Sequence, residues 1–327
     1  MSARLRWPLL IATTLGLATA LWTLGRQGWA QVLGSAMRVG LPGFALLCAI
    51  SVATFFILGA AWLVAVPGER MRRLPRFAWA RATREAANDL LPFSQLGGLV
   101  VGVRTLAATG IAPVRVYAAM IVDLTTEMAA QLIFTLFAIW AFGTAFSGRS
   151  ADPRLLPLLW TGIGIATGLM LLFLMLQRPA LRLAAFLGAR MLPDAGLMAQ
   201  GVADSLSAVY GRRRRVLASF LLNLAAWGAT ALWAWLALTL MGVHSGLAHV
   251  AALESAIFAL RSAAFLIPGA LGVQEAGYVL LAPLVGINPA AALALSLVRR
   301  ARDVGLGVPT LLLWQSEELR GRRLAHP

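Results

Sequence analysis

The sequence contains no lysine; all 28 of its basic residues are arginine. That excludes a P-loop lysine for phosphate and a Schiff-base amine. It has one cysteine, Cys48, which excludes an intrachain disulfide, a cysteine-ligated zinc and a redox pair. Histidine is nearly as scarce. His326 lies in the tail, and His244 and His249 flank a short loop without nearby carboxylates, a loop feature rather than a metal site. HExxH, GxSxG and GxGxxG do not occur in a meaningful context, and no metal or cofactor is implied. Charge itself is sparse, at 13% of residues against 60% hydrophobic. Soluble chains carry about 25% charged residues, so an ordinary soluble domain is excluded. The mean hydropathy of +0.79 agrees.

Several runs reach the length of roughly 20 apolar residues that a membrane helix needs. They are Trp7–Leu24, Gly40–Gly68, about Pro113–Phe146, Leu155–Gln177, Val216–Val243 and about Pro289–Gln315. Ala18-Thr19-Ala20 resembles a signal-peptide cleavage site, but in a polytopic chain Trp7–Leu24 reads as an uncleaved first helix. Two further stretches are broken. Phe77–Ala112 is interrupted at Leu91-Pro92 and at Gly97-Gly98, and His249–Asn288 at Pro268-Gly269 and Gly272. Their arms are too short for full spans and suit re-entrant hairpins, whose turns need protein or a wet cavity around them.

The net charge of +15 suits a nucleic-acid binder only until the arginines are placed. With a cytoplasmic amino terminus and both broken stretches re-entrant, 18 of 28 arginines fall on the cytoplasmic side, Arg81 and Arg84 among them; four fall outside and six inside the membrane. The positive-inside rule then predicts six spans with both termini cytoplasmic. The basic charge reads as a topology signal with contact to anionic inner-leaflet lipids, not nucleic acid. Met198–Tyr210, before Arg212–Arg215, reads as an amphipathic helix on the inner leaflet.

The two broken stretches repeat. Pro92 and Gly110-Ile111-Ala112-Pro113 recur as Pro268 and Gly286-Ile287-Asn288-Pro289, offset by 176. Three spans separate equivalent points, so the second copy is upside down, a transporter arrangement. The predicted fold is an all-α polytopic membrane protein of about six spans plus two hairpins in an inverted repeat. It forms one domain over 1–327, with units at about 1–147 and 155–316 and a cytoplasmic tail at 317–327. The same offset pairs Glu85 with Arg261, Asp123 with Arg299 and Glu127 with Asp303. Asp123/Glu127 and Arg299/Asp303 are spaced i, i+4 on a helix face, about 15–21 Å beyond the proline that opens each helix. A charge at that depth costs at least about 2.5–3.5 kcal/mol, so these groups line a polar path, carry protons, or pair as locks between the units. Carboxylates and arginines inside the membrane nearly cancel, which implies no strong substrate charge. Asn223 reads as glue between helices, and Trp227, Trp233 and Trp235 as interfacial anchors or lipid-facing bulk.

Glu85-Ala86-Ala87-Asn88-Asp89-Leu90-Leu91-Pro92-Phe93-Ser94-Gln95-Leu96-Gly97-Gly98, followed by Val122-Asp123-Leu124-Thr125-Thr126-Glu127, resembles the transmembrane region of lysylphosphatidylglycerol synthases. Pro268-Gly269-Ala270-Leu271-Gly272-Val273-Gln274-Glu275 is similar to that family's Pro-Gly-Gly-x-Gly-x-x-Glu segment, with Ala270 where the family often has glycine. The Leu-Pro-Phe-Ser-Gln-Leu-Gly-Gly run is most similar to the hopanoid-biosynthesis-associated branch, HpnL. The resemblance implies a bacterial inner-membrane lipid transporter or flippase with a hopanoid substrate and lipid-synthesis or export partners. It carries over Glu85, Asn88, Asp123, Glu127 and Glu275 as path residues beside Arg261, Arg299 and Asp303, and Pro92, Gly97, Gly98, Pro268 and Gly272 as hairpin turns, which Gly269 joins at the second break. Only 11 residues follow Ser316, so aminoacyl-transfer activity is not carried over and no enzyme activity is expected. An intramembrane lipid-modifying enzyme using Glu or Asp, or a scaffold for lipid synthesis, are the alternatives.

Overall fold

Hydrocarbon offers no partners to backbone amides, so a chain this apolar folds into helices, and in a computed structural model it does. The structure describes residues 28–91, 94–146, 193–263 and 270–325, with Gly168 and Met175. Among these are ten α-helices and no strand: α1 (Trp29–Met37), α2 (Gly40–Ala65), α3 (Leu74–Leu90), α4 (Ser94–Ala107), α5 (Pro113–Phe146), α6 (Pro193–Tyr210), α7 (Arg213–Leu240), α8 (Leu247–Ala263), α9 (Val273–Leu281) and α10 (Pro289–Ala325).

The helix ends follow from local chemistry. Leu91 precedes Pro92 and takes an extended conformation (φ −94°, ψ 146°), which ends α3. Pro113 and Pro289 open α5 and α10, where a missing N–H costs nothing. Gly110 and Gly286 each precede that proline by three residues, and both have positive φ, 85° and 75°. The offset of 176 therefore relates equal backbone conformations as well as equal residues. It also places α2 beside α7, α3 beside α8, α4 beside α9 and α5 beside α10 in chain order.

α2, α5 and α7 are long and apolar enough to cross a membrane. Only 22% of the most apolar stretch of α2, and 33% of those of α5 and α7, is buried inside the protein, so the rest presents apolar surface outward. The expected spans Trp7–Leu24 and Leu155–Gln177 lie outside the described residues, apart from Gly168 and Met175. The expected span at Pro289–Gln315 lies within α10, but Arg299, Arg300, Arg302 and Asp303 keep that helix from being uniformly apolar. α10 continues to Ala325, so residues 317–325 are helical.

Two apolar cores hold the helices. One gathers Trp62, Phe77, Leu106, Val122 and Leu206; the other gathers Leu47, Trp233, Leu253, Ile257, Tyr278 and Leu293. Val202, Leu206 and Val209 of α6 are buried in the first core, so protein covers much of the apolar face expected to lie on the inner leaflet. Trp227 and Trp233 are buried as well, not lipid-facing.

Glycine sets how closely α3 is approached. Gly97 and Gly98 lie inside α4, not at a hairpin break; α3 ends at Leu90, before the extended Leu91. A Cβ on Gly98 would stand 2.6 Å from the Arg84 carbonyl oxygen, whereas one on Gly97 would meet nothing within 4 Å. Gly97→Ala should therefore raise stability by about 0.5–1 kcal/mol, the usual gain for a helical glycine. Gly98→Ala should lower the melting temperature of the detergent-solubilised protein. Equal melting temperatures for the two variants would contradict the α3–α4 packing.

Candidate functional site

Arg81, Glu85 and Asp89 stand at i, i+4 and i+8 on α3, so they share one face. Around this face two groups of charges assemble. The first is a closed ion-pair lattice between α3 and α5. Arg81 donates from Nη1 to Asp123 Oδ2 at 2.8 Å and from Nη2 to Glu127 Oε1 at 2.6 Å. Arg84 donates to the same two carboxylates at 3.1 and 3.0 Å. Asn223 of α7 donates to Asp123 Oδ1 at 3.3 Å and to Thr126 Oγ1 at 3.0 Å, so it does act as glue between helices. The Asp123 side chain is fully buried and that of Arg81 is 1% exposed. Each carboxylate meets both guanidinium groups, the arrangement that compensates desolvation best.

The second group spans α8, α9 and α10 with the polarity of helix and partner reversed. Arg299 on α10 pairs with Glu254 on α8, and the Tyr278 hydroxyl donates to Glu254 Oε1 at 2.6 Å. Arg299 and Arg302 both place their Cζ 5.2 Å from the centroid of the Trp233 ring. Trp233 is anchored in turn by its Nε1–H, which donates to the Leu47 carbonyl at 2.9 Å. Arg302 also pairs with Asp303.

Between the groups lies a cavity of about 120 Å³, with walls from α2, α3, α7, α8 and α10. Glu85, Arg261, Arg299 and Asp303, all expected along a polar path, line it. Asp89 and Arg302 complete its charged wall. Asp89 accepts from Arg261 at 3.3 Å, an ion pair that joins α3 to α8. Glu85 lies 2.9 Å from Arg81 Nε, which connects the cavity to the lattice behind it.

The other expected path residues do not line this cavity. Asp123 and Glu127 belong to the lattice. Asn88 is held against α4, where its buried Oδ1 would lie 1.9 Å from a Cβ on Gly98. Glu275 organises the second turn: it accepts from the Gly272 N–H at 2.8 Å and from Ser296 Oγ at 2.9 Å, with Arg300 at 3.5 Å. Gly272, at φ 78°, stands immediately before α9. Ala270 also has positive φ (48°), the conformation that glycine favours. Pro92, Pro268 and Gly269 lie outside the described residues. Arg81 and Arg84, expected on the cytoplasmic side, are buried counter-ions of Asp123 and Glu127. The i, i+4 series Arg81–Glu85–Asp89 is the sequence signal that could have placed Arg81 with the buried charges.

These features define an all-helical membrane protein with a charge-lined cavity between two sets of helices. The family model for the lysylphosphatidylglycerol synthase TM region matches residues 9–309, and the chain belongs to that family. No curated protein and no solved structure matches it. Family membership points to a membrane lipid-related function.

Removing one partner from a buried ion pair typically costs about 3–5 kcal/mol, because the other charge stays behind. Asp123→Ala should accordingly abolish folded protein or lower its melting temperature sharply. Arg104, 49% exposed, pairs with Glu318 at 3.1 Å. Arg104→Ala should cost less than about 1 kcal/mol. Comparable losses in the two variants, read by thermal unfolding in one detergent, would contradict the distinction between lattice and surface pair.

Proposed function

We propose that the chain is a lipid translocator that moves a headgroup through the charge-lined cavity while the apolar body of the lipid stays in the bilayer. One observation carries this reading: six ionisable side chains, from α3, α8 and α10, surround a cavity among helices whose outer surfaces are apolar. Such groups in a membrane pair with one another or face a water-filled cavity, and they mark substrate or ion pathways. The matched elements at offset 176 support an inverted repeat whose units rock to expose the cavity on alternate faces. In this reading the protein is a bacterial inner-membrane protein with both termini cytoplasmic, and anionic lipids meet its arginines. It carries out no chemistry on its substrate, it acts with lipid-synthesis or export partners, and that substrate is a hopanoid.

The Asp89–Arg261 pair joins the first arms of the two hairpins, so its making and breaking accompanies each cycle. Asp89→Asn and Arg261→Ala should each slow transbilayer movement of a fluorescent hopanoid in proteoliposomes at least tenfold, and Arg104→Ala should leave it near wild type. Movement at the wild-type rate in both cavity variants, or no protein-dependent movement at all, would overturn the reading.

A further inference from the structure

Every charge on the cavity wall has a partner of opposite sign. Arg261 holds Asp89 and Arg302 holds Asp303; Glu85 is met by Arg81, and Arg299 by Glu254. The wall itself carries three guanidinium groups and three carboxylates. A ligand with net charge would leave an uncompensated charge at membrane depth, where each is costly.

The uncharged groups on the wall restrict the ligand further. Thr54, Thr230 and Thr310 face the cavity from α2, α7 and α10. Each hydroxyl hydrogen is already committed to a carbonyl one turn earlier: Ile50 at 2.8 Å, Ala226 at 3.0 Å and Leu306 at 2.7 Å. The hydroxyl oxygens therefore offer lone pairs and no proton. Donors share the wall with them. The guanidinium groups of Arg261, Arg299 and Arg302 line the cavity. Each carries five N–H donors and no acceptor, more than its ion pair uses.

A wall that presents both acceptors and donors, with no net charge, is matched by hydroxyl groups, each of which donates and accepts. A phosphate monoester offers mostly acceptors and an ammonium only donors, and each brings a charge. We propose that this cavity binds an uncharged, polyhydroxylated headgroup. Its 120 Å³ has room for about four waters at roughly 30 Å³ each, enough for a glycerol-sized polyol and too small for a lipid body. This assignment rests on the translocator reading for its biological meaning, but the binding site stands on its own geometry.

The test is equilibrium binding by calorimetry to the full chain in nanodiscs, with three probes that share one tail: 1-O-hexylglycerol, hexyl phosphate and hexylammonium. The glycerol ether should bind at least tenfold tighter than either charged probe. Thr54→Val and Thr230→Val keep side-chain volume and remove only the oxygen; each should weaken the glycerol ether several-fold while leaving the melting temperature of the empty protein unchanged. Tighter binding of a charged probe, no binding of the glycerol ether, or indifference to both valine variants would overturn the assignment. Binding as expected without hopanoid movement would overturn the translocator reading and leave the polyol site standing.

Discussion

The structure depends on neutralising charge where water is absent. Arg81 and Arg84 share Asp123 and Glu127 so completely that each carboxylate meets two guanidinium groups. The lattice fixes the rotation of α3 against α5, and through Asn223 it fixes α7 as well. Once α3 is set, Glu85 and Asp89 face the opposite wall and the cavity has its first side. The second side follows from the same requirement: Arg299 needs Glu254, and Trp233 packs against both Arg299 and Arg302.

The two groups of charges meet this requirement with opposite polarity. In the first, the arginines sit on the short helix α3 and the acids on the long helix α5; in the second, the acid sits on α8 and the arginine on α10. The exchange explains why Asp123 and Arg299 occupy equivalent positions at the 176-residue offset while both remain buried in ion pairs. It also explains the balanced cavity wall, to which α3 contributes acids and α8 an arginine.

Much of this was legible in the sequence because prolines and apolar runs act locally. Pro113 and Pro289 opened helices where they were expected to, and the breaks in apolar runs separated α3 from α4 and α8 from α9. Gly97 and Gly98 misled because glycine marks either a turn or a close helix contact, and only the facing backbone of Arg84 decides between them. Asp123 and Glu127 share a helix face, as their spacing predicts, but their role as lattice members depends on Arg81 and Arg84, whose burial is a tertiary fact. The threonines of the cavity left no mark at all. A threonine bonded to a carbonyl one turn back is an ordinary helical residue until its face is known.

The central claim is that the cavity between the units opens to both sides of the membrane. Site-directed thiol labelling tests it most directly. In a background of Cys48→Ser, Thr230→Cys places one described thiol on the cavity wall. With membrane-impermeant reagents added to either face of oriented vesicles, the account predicts labelling from both faces, and protection by 1-O-hexylglycerol. Labelling from one face alone, or from neither, would contradict it.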